Sequence, residues 1–245
     1  MTGEICRLLE WDSQFFDRRI ATVTTTCLTS NTAAAVDAWC RAHDVDCVYL
    51  RASPDDEETA RAAAERGFVL VDVRLDFDRP LTGATAVDAD IRPARSEDVE
   101  ALRAIAGTAH GTTRFYFDTR FPRDRADELY RTWIARSVAE GYADGVLVAS
   151  RGGGPTGYIT MHLEGETAAR IGLVGVAQPW RGKGVGRALV EAASHWCAAR
   201  GRSRVAVATQ ARNIAGVRLY ERAGFQLAKV DVWYHYWPAA SSHAS

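Results

Sequence analysis

Two hydrophobic periods share this chain, one of alternate residues and one of three to four. Residues 47–53, CVYLRAS, form an apolar, partly β-branched run that predicts a strand. Residues 55–67, DDEETARAAAERG, predict a helix, and residues 68–77, FVLVDVRLDF, predict a second strand. Gly67 closes that helix, as suits the left-handed residue that ends many helices. The same grammar returns after residue 90. IRP predicts a short strand, followed by a helix whose start is marked by Ser96 and by Val99 and Glu100 in its first turn. Residues 126–141, ADELYRTWIARSVAEG, predict an amphipathic helix ending at Gly141. GVLVAS and TGYITMHLEG read as strands joined by a tight turn at RGGGP, and ARIGLVGV as a third strand. A helix (VGRALVEAASHWCAARG), a strand (SRVAVATQ), a helix (IAGVRLYERAG) and a closing strand (FQLAKVDVWYHYW) complete the pattern.

The alternation predicts an α/β (α+β) fold, a mixed central sheet flanked by helices. Periodicity lapses in DRPLTGATAVDAD, residues 78–90, which reads as a linker. It separates a smaller N-terminal α/β region, residues 1–85, from a main domain, residues 90–238, with 239–245 expected to be a disordered tail. Residues 110–126, HGTTRFYFDTRFPRDRA, are basic, aromatic and irregular, and read as a loop. AAAERGFVLVDVRLDF and LYERAGFQLAKVDVWYHY both run helix, Gly-Phe, strand. Either the first region is a decayed copy of the last, or a common supersecondary ending recurs. The aromatic final strand suits an edge that pairs two copies into a homodimer, and burial within its own domain explains it equally.

Composition narrows the function classes. At 245 residues the chain can bury a sizeable core, and a net charge of −1 gives no polycationic face for nucleic acid. Apolar runs fall short of the roughly 20 residues that span a bilayer, and MTGEICRLLEWD lacks a secretory pattern, so the expectation is a cytoplasmic protein that engages no membrane. The five cysteines, Cys6, Cys27, Cys40, Cys47 and Cys197, include no CxxC pair, which points away from a metal site or disulfide framework. Cys197 falls mid-helix, away from a helix N-terminus that would activate it.

Candidate chemistry concentrates where ARIGLVGV runs through VAQPW into Arg181-Gly182-Lys183-Gly184-Val185-Gly186 and a long helix. Glycines there let a ligand approach the backbone, and N–H groups at a helix start favour an anion such as pyrophosphate. Arg181, Lys183 and Arg187 add positive charge. A P-loop would need Ser or Thr after the lysine, where Gly184 stands. A Rossmann fingerprint would need other glycine spacing and a later acidic residue, where the next strand ends in Thr209 and Gln210.

Residues 181–186 match [QR]-x-x-G-x-[GA], the acetyl-CoA signature of the GNAT N-acetyltransferase superfamily, with Leu189 at an apolar helix position. Asn213, Ala215 or Gly216, Tyr220, Gly224 and Phe225 match its downstream N-x-x-A-x-x-x-Y-x-x-x-G-F segment. The chain resembles that superfamily from about residue 90 to 237. LEWDSQFFDRRI, the RF-containing loop before LYRTWI, and RIGL…RVAVATQ…N…Y also resemble acetyltransferases of dTDP-linked amino sugars, although DRRI and the loop lengths depart from them.

The resemblance implies a GNAT fold, acetyl-CoA as acyl donor without a metal, and a small-molecule amine as acceptor, a nucleotide sugar in the narrower reading. It implies that residues 181–187 and Asn213 bind the cofactor, and that backbone groups of Val174 and Val176 pair with its pantetheine arm. It implies Tyr220 as the general acid to the departing sulfur. Packing of the Tyr220 ring in the core is the alternative for the residue taken alone. For the acceptor, Arg114, Phe115, Tyr116 and His162 are the candidates, because guanidinium groups suit a diphosphate and rings suit a base. A solvated loop anchored by its aromatics fits the first three as well. His162, Glu164 and Glu166 are candidate general bases, and none is singled out. The N-terminal region is expected to help form the acceptor pocket.

Overall fold

The computed structural model describes residues 4–81, 88 and 90–238, so most of the linker read at 78–90 and the tail read at 239–245 lie outside the described residues. The chain forms two compact units, one of residues 1–74 and 230–245, the other of residues 75–229. Their division falls inside two strands, β4 (Val69–Pro80) and β10 (Gln226–Tyr236), rather than in the 78–90 segment.

In the first unit, β1 (Cys6–Leu8), α1 (Glu10–Phe16), β2 (Ile20–Val23), α2 (Ser30–Ala42), β3 (Cys47–Ala52) and α3 (Glu57–Glu65) precede β4. β1 is antiparallel to β2, β2 parallel to β3, and β3 antiparallel to the end of β10. Thr29 and Thr32 form a reciprocal capping box at the start of α2. Asp56 caps α3 by accepting from the Thr59 N–H at 2.9 Å. Val36, Leu50, Ala63 and Phe68 lie in one buried core. The four elements before residue 43 went unread in the sequence; for β1 and β2 the reason is that strands of three and four residues fall below the reach of periodicity.

The second unit holds β5 (Ile91–Pro93), α4 (Val99–Ala109), α5 (Arg114–Phe117), α6 (Arg123–Ala139), β6 (Gly145–Arg151), β7 (Gly154–Glu164), β8 (Ala168–Val176), α7 (Val185–Ala198), β9 (Arg204–Gln210) and α8 (Ile214–Arg222). Its strand order is β4-β9-β8-β7-β6-β5. β5 to β8 are successively antiparallel, and β8 and β9 are parallel. Leu189 and Val190 of α7 share a core with Ile159, Met161, Ile171, Val207 and Phe225. Side chains alternate along a strand, so Tyr158 and Ile159 face opposite sides of the sheet.

Three readings change. Residues 110–126 are not one loop: α5 occupies 114–117, and α6 begins at Arg123, three residues before the predicted start. β10 lies between β3 and β4 rather than at an edge, so burial in its own sheet accounts for its aromatic residues. The two echoing segments share a local structure. Gly67 and Gly224 have φ of 77° and 80°, and the N–H of Phe68 or Phe225 donates to the carbonyl five residues earlier.

Candidate active site

β8 and β9 pair from Ala168↔Arg204 to Ile171↔Val207, while β8 runs on to Val176 beside β7 alone. The β7–β8 register shifts between Ile159 and Met161. There the Leu173 N–H donates to Thr160 Oγ1 at 2.8 Å. A side chain at Gly172 would bring its Cβ within 2.7 Å of both Thr160 Oγ1 and His162 Nε2, so one or both of those side chains would have to shift. Backbone N–H groups alternate between strand edges. With Leu173 turned to β7, the N–H and carbonyl of Val174 turn toward the side where β9 has ended its pairing. The Val176 carbonyl on that side accepts from Arg181 Nε at 3.0 Å. Val174 and Val176 lie partly buried against the core of the unit.

Gly182 and Gly184 have φ of 74° and 83°, the left-handed region that favours glycine, and a Cβ added at either would meet nothing within 4 Å. The backbone is bent there and also uncovered. Gly184 is the N-cap of α7, and the Ala188 N–H is bonded to the Gly184 carbonyl at 3.0 Å. The N–H groups of residues 185–187 thus precede the helix's own ladder, and no side chain caps them. The cations around this turn differ. Arg181 is tied to the carbonyls of Val176 and Thr108, Lys183 Nζ stands 5.4 Å from the Trp180 ring, and Arg187 is exposed. Val185 buries its side chain in the core, and Gly186 lies against Leu219.

Asn213 and Tyr220 bracket α8. Asn213 Oδ1 accepts from the Gly216 N–H at 3.1 Å and its Nδ2 donates to Thr209 Oγ1 at 3.0 Å, so both ends of the amide are engaged in capping the helix. Tyr220 is 6% exposed between Phe77 and Phe225. Its hydroxyl makes no hydrogen bond among the described residues, and burial pushes its pKa up. The phenol therefore stays protonated.

The 110–126 segment turns its side chains on one another. Phe115 is buried edge-on against Phe121, and Arg114 lies over the Phe115 ring at 4.4 Å. Tyr116 Oη donates to Asp127 at 2.6 Å, and Arg120 pairs with the buried Asp118 at 2.9 Å. Phe117 is the exposed ring, with the Arg212 guanidinium 4.1 Å above it. Arg212 was not singled out in the sequence, where nothing distinguishes it from neighbouring arginines.

His162 is half-buried on β7, edge-on to Tyr142, and burial together with Arg170 holds its pKa below the ordinary value. Glu164 is paired with Arg170 at 2.7 Å. Burial pushes the Cys197 thiol up to about 11. No group of three or more His, Cys, Asp or Glu among the described residues is placed to hold a metal. No described helix is long and apolar enough to cross a membrane.

One contact in the site has no signal in the sequence. His110 Nε2 lies 2.9 Å from Tyr158 Oη across 48 residues. Burial, aided by the Arg181 charge, lowers the His110 pKa to about 4, so the neutral ring shares one hydrogen bond with the phenol. His110 also stacks on Tyr130 at 4.4 Å, and Tyr130 Oη donates to Thr113 at 2.8 Å.

The profile of the acetyltransferase (GNAT) family matches residues 109–225, which include His110, Tyr158, the glycine turn, Asn213 and Tyr220. The chain is 28% identical over 230 residues to dTDP-fucosamine acetyltransferase of Escherichia coli O6:H1 strain CFT073, covering 92% of this chain and 95% of that protein. It is 25% identical over 198 residues to the spore coat polysaccharide biosynthesis protein SpsD of Bacillus subtilis, covering 80% and 68%. Among solved structures, a GCN5-related N-acetyltransferase from Sphaerobacter thermophilus aligns with a TM-score of 0.65 at 18% identity, covering 95% of this chain and 76% of that one. The parted strand pair and the uncovered glycine turn at a helix start both lie in the segment that matches the profile of the acetyltransferase (GNAT) family, whose enzymes use acetyl-CoA to acetylate amines.

Proposed function

We propose that this enzyme acetylates the amino group of a nucleotide-linked amino-dideoxy sugar, and that the parted β8 edge with the 182–186 turn holds its acetyl-CoA. The observation that carries the sugar is the likeness to dTDP-fucosamine acetyltransferase over 92% of the chain. Acetyl-CoA, when bound, supplies an activated acyl group. The residues present fit it, because the turn at Gly182 and Gly184 leaves open space beside the α7 N–H groups where a pyrophosphate needs donors. Lys183 and Arg187 strengthen the field there. Arg181 contributes charge while its guanidinium stays bonded to two carbonyls. Asn213 acts through the helix it caps.

Val174 offers a strand edge to an extended amide-bearing chain, as an added strand would use it. Its N–H is directed to polarise an oxygen on that side. The reaction forms an N–C bond and breaks a C–S bond. Tyr220 Oη donates a proton to the departing sulfur, and the acceptor nitrogen loses one. His162, neutral and beside Gly172, is the group on β7 placed to receive it. Among the 110–126 residues, Arg114, Phe115 and Tyr116 shape the acceptor side chiefly through the packing of α5.

The test is a thiol-release assay with acetyl-CoA against dTDP-4-amino-dideoxy sugars, an aminoglycoside, a polyamine and an N-terminal peptide. CoA release with the dTDP sugars alone is the expected result. Release with another member of the panel and not with the sugars would discard the nucleotide-sugar reading and keep the acetyltransferase.

A further inference from the structure

Gly175 sits one residue beyond Val174 and is paired directly with Tyr158 across the β7–β8 ladder. A Cβ built on Gly175 would overlap the Tyr158 ring, so that ring occupies the space a side chain there would need. Tyr158 is wholly buried, and its hydroxyl is held by His110 at 2.9 Å. His110 follows α4 directly and is itself held by stacking on Tyr130 of α6. A second tie lies alongside. Arg181 joins the Thr108 carbonyl near the end of α4 to the Val176 carbonyl at the end of β8, each at 3.0 Å. The end of α4 is thereby fastened to β8 at Gly175 and at Val176.

We propose that His110 and Tyr158 form a latch that fixes the β8 backbone at residues 174–175, and with it the N–H that polarises the acyl carbonyl. Both are positioning residues. Tyr158 acts by pressing its ring on Gly175, and His110 acts through the Tyr158 hydroxyl. The inference rests on the placement of the thioester along β8 proposed above. Its physical basis is that a donor gains its effect from being held before the charge develops. A strand free of β9 lacks one of the two neighbours that would otherwise hold it. The latch and the Arg181 tie supply that restraint from the opposite face and the strand end.

The charged and titratable groups about His110 are Arg181, Tyr158 and Tyr130. Tyr158→Phe keeps the ring on Gly175 and removes the hydroxyl, which makes it the milder variant. His110→Ala removes the hydroxyl's partner. His110→Gln retains a group that can hydrogen-bond to it.

The experiment uses the full-length protein with acetyl-CoA labelled with carbon-13 at the carbonyl, reading the NMR shift of that carbon on binding. Affinity for CoA itself is measured by calorimetry in parallel. In the unmodified protein the carbonyl signal is expected to move downfield on binding. In Tyr158→Phe and His110→Ala the displacement is expected to shrink by half or more, with CoA affinity within twofold. His110→Gln is expected to restore most of it, and the double variant to match either single one. A displacement present in the unmodified protein and unaltered in Tyr158→Phe overturns the latch and leaves the thioester placement standing. No displacement in the unmodified protein overturns the thioester placement, and the latch with it. Loss of CoA binding along with the shift would show a general structural role and also overturn the proposal.

Discussion

The turn at residues 181–187 and the segment at 110–126 look alike as sequence, each mixing arginines with residues suited to phosphate or base, and the fold treats them in opposite ways. In the turn, the backbone donors of residues 185–187 stay outside the helical ladder, and the space beside Gly182 and Gly184 is open. In the segment, Tyr116 bonds to Asp127, Arg120 to Asp118, Arg114 covers Phe115, and Phe115 is buried. A composition of arginine and aromatic residues therefore does not make a site by itself. What marks a site is polar capacity that the fold leaves without a partner, since an engaged donor must lose its present bond before it gains another.

The sharpest way to break this contrast is Gly184→Val. A Cβ there meets nothing within 4 Å, so the main cost to folding is the left-handed backbone, roughly 1–2 kcal/mol. It would, however, fill the space where a pyrophosphate approaches. Acetyl-CoA affinity by calorimetry is expected to fall about a hundredfold or more, ~2.7 kcal/mol, with a cooperative thermal transition retained. Undiminished affinity would remove the turn from the cofactor site.

Two phenol-to-phenyl changes sharpen the comparison. Tyr220 has a hydroxyl with no partner among the described residues, so Tyr220→Phe should change stability by less than about 0.5 kcal/mol and leave acetyl-CoA affinity alone. Turnover should drop by about tenfold or more, the scale of a lost general acid. Equal turnover would return Tyr220 to the core. Tyr116 shows the reverse. Tyr116→Phe removes a bond to a carboxylate and should cost about 1–2 kcal/mol in chemical denaturation, with acetyl-CoA affinity unchanged. Weaker acetyl-CoA binding in that variant would mean that the segment reaches the cofactor after all.

Much of the second unit was legible in the sequence. β6 to β9, α7 and α8 sit where the periodicity put them, because each is long enough to show its period. The glycine turn was legible for a local reason, since helix start, glycine spacing and charge all lie within six residues. The first forty residues were not, since β1 and β2 are too short for a pattern. Nor was the start of α6, where Pro122 stands at the N-cap and an arginine-rich first turn hid the apolar stripe. Asn213 was matched for a ligand role, yet its amide is engaged at both ends by Gly216 and Thr209, a capping role that a residue at that position also fills.

The sequence by itself determined the order of the elements, the bend at Gly182 and Gly184, and the matched positions from Arg181 to Phe225, because these depend on neighbours a few residues apart. The tertiary structure alone decided which groups remain available. Arg181 is taken by carbonyls at Thr108 and Val176, Leu173 by the Thr160 hydroxyl, and Tyr158 by His110, and each of these partners lies 5 to 73 residues away. The closing strand's place between β3 and β4 was likewise a matter of the fold. Backbone conformation is largely a local property of the chain, whereas the engagement of a polar group depends on whatever distant residue the packing brings within about 3 Å.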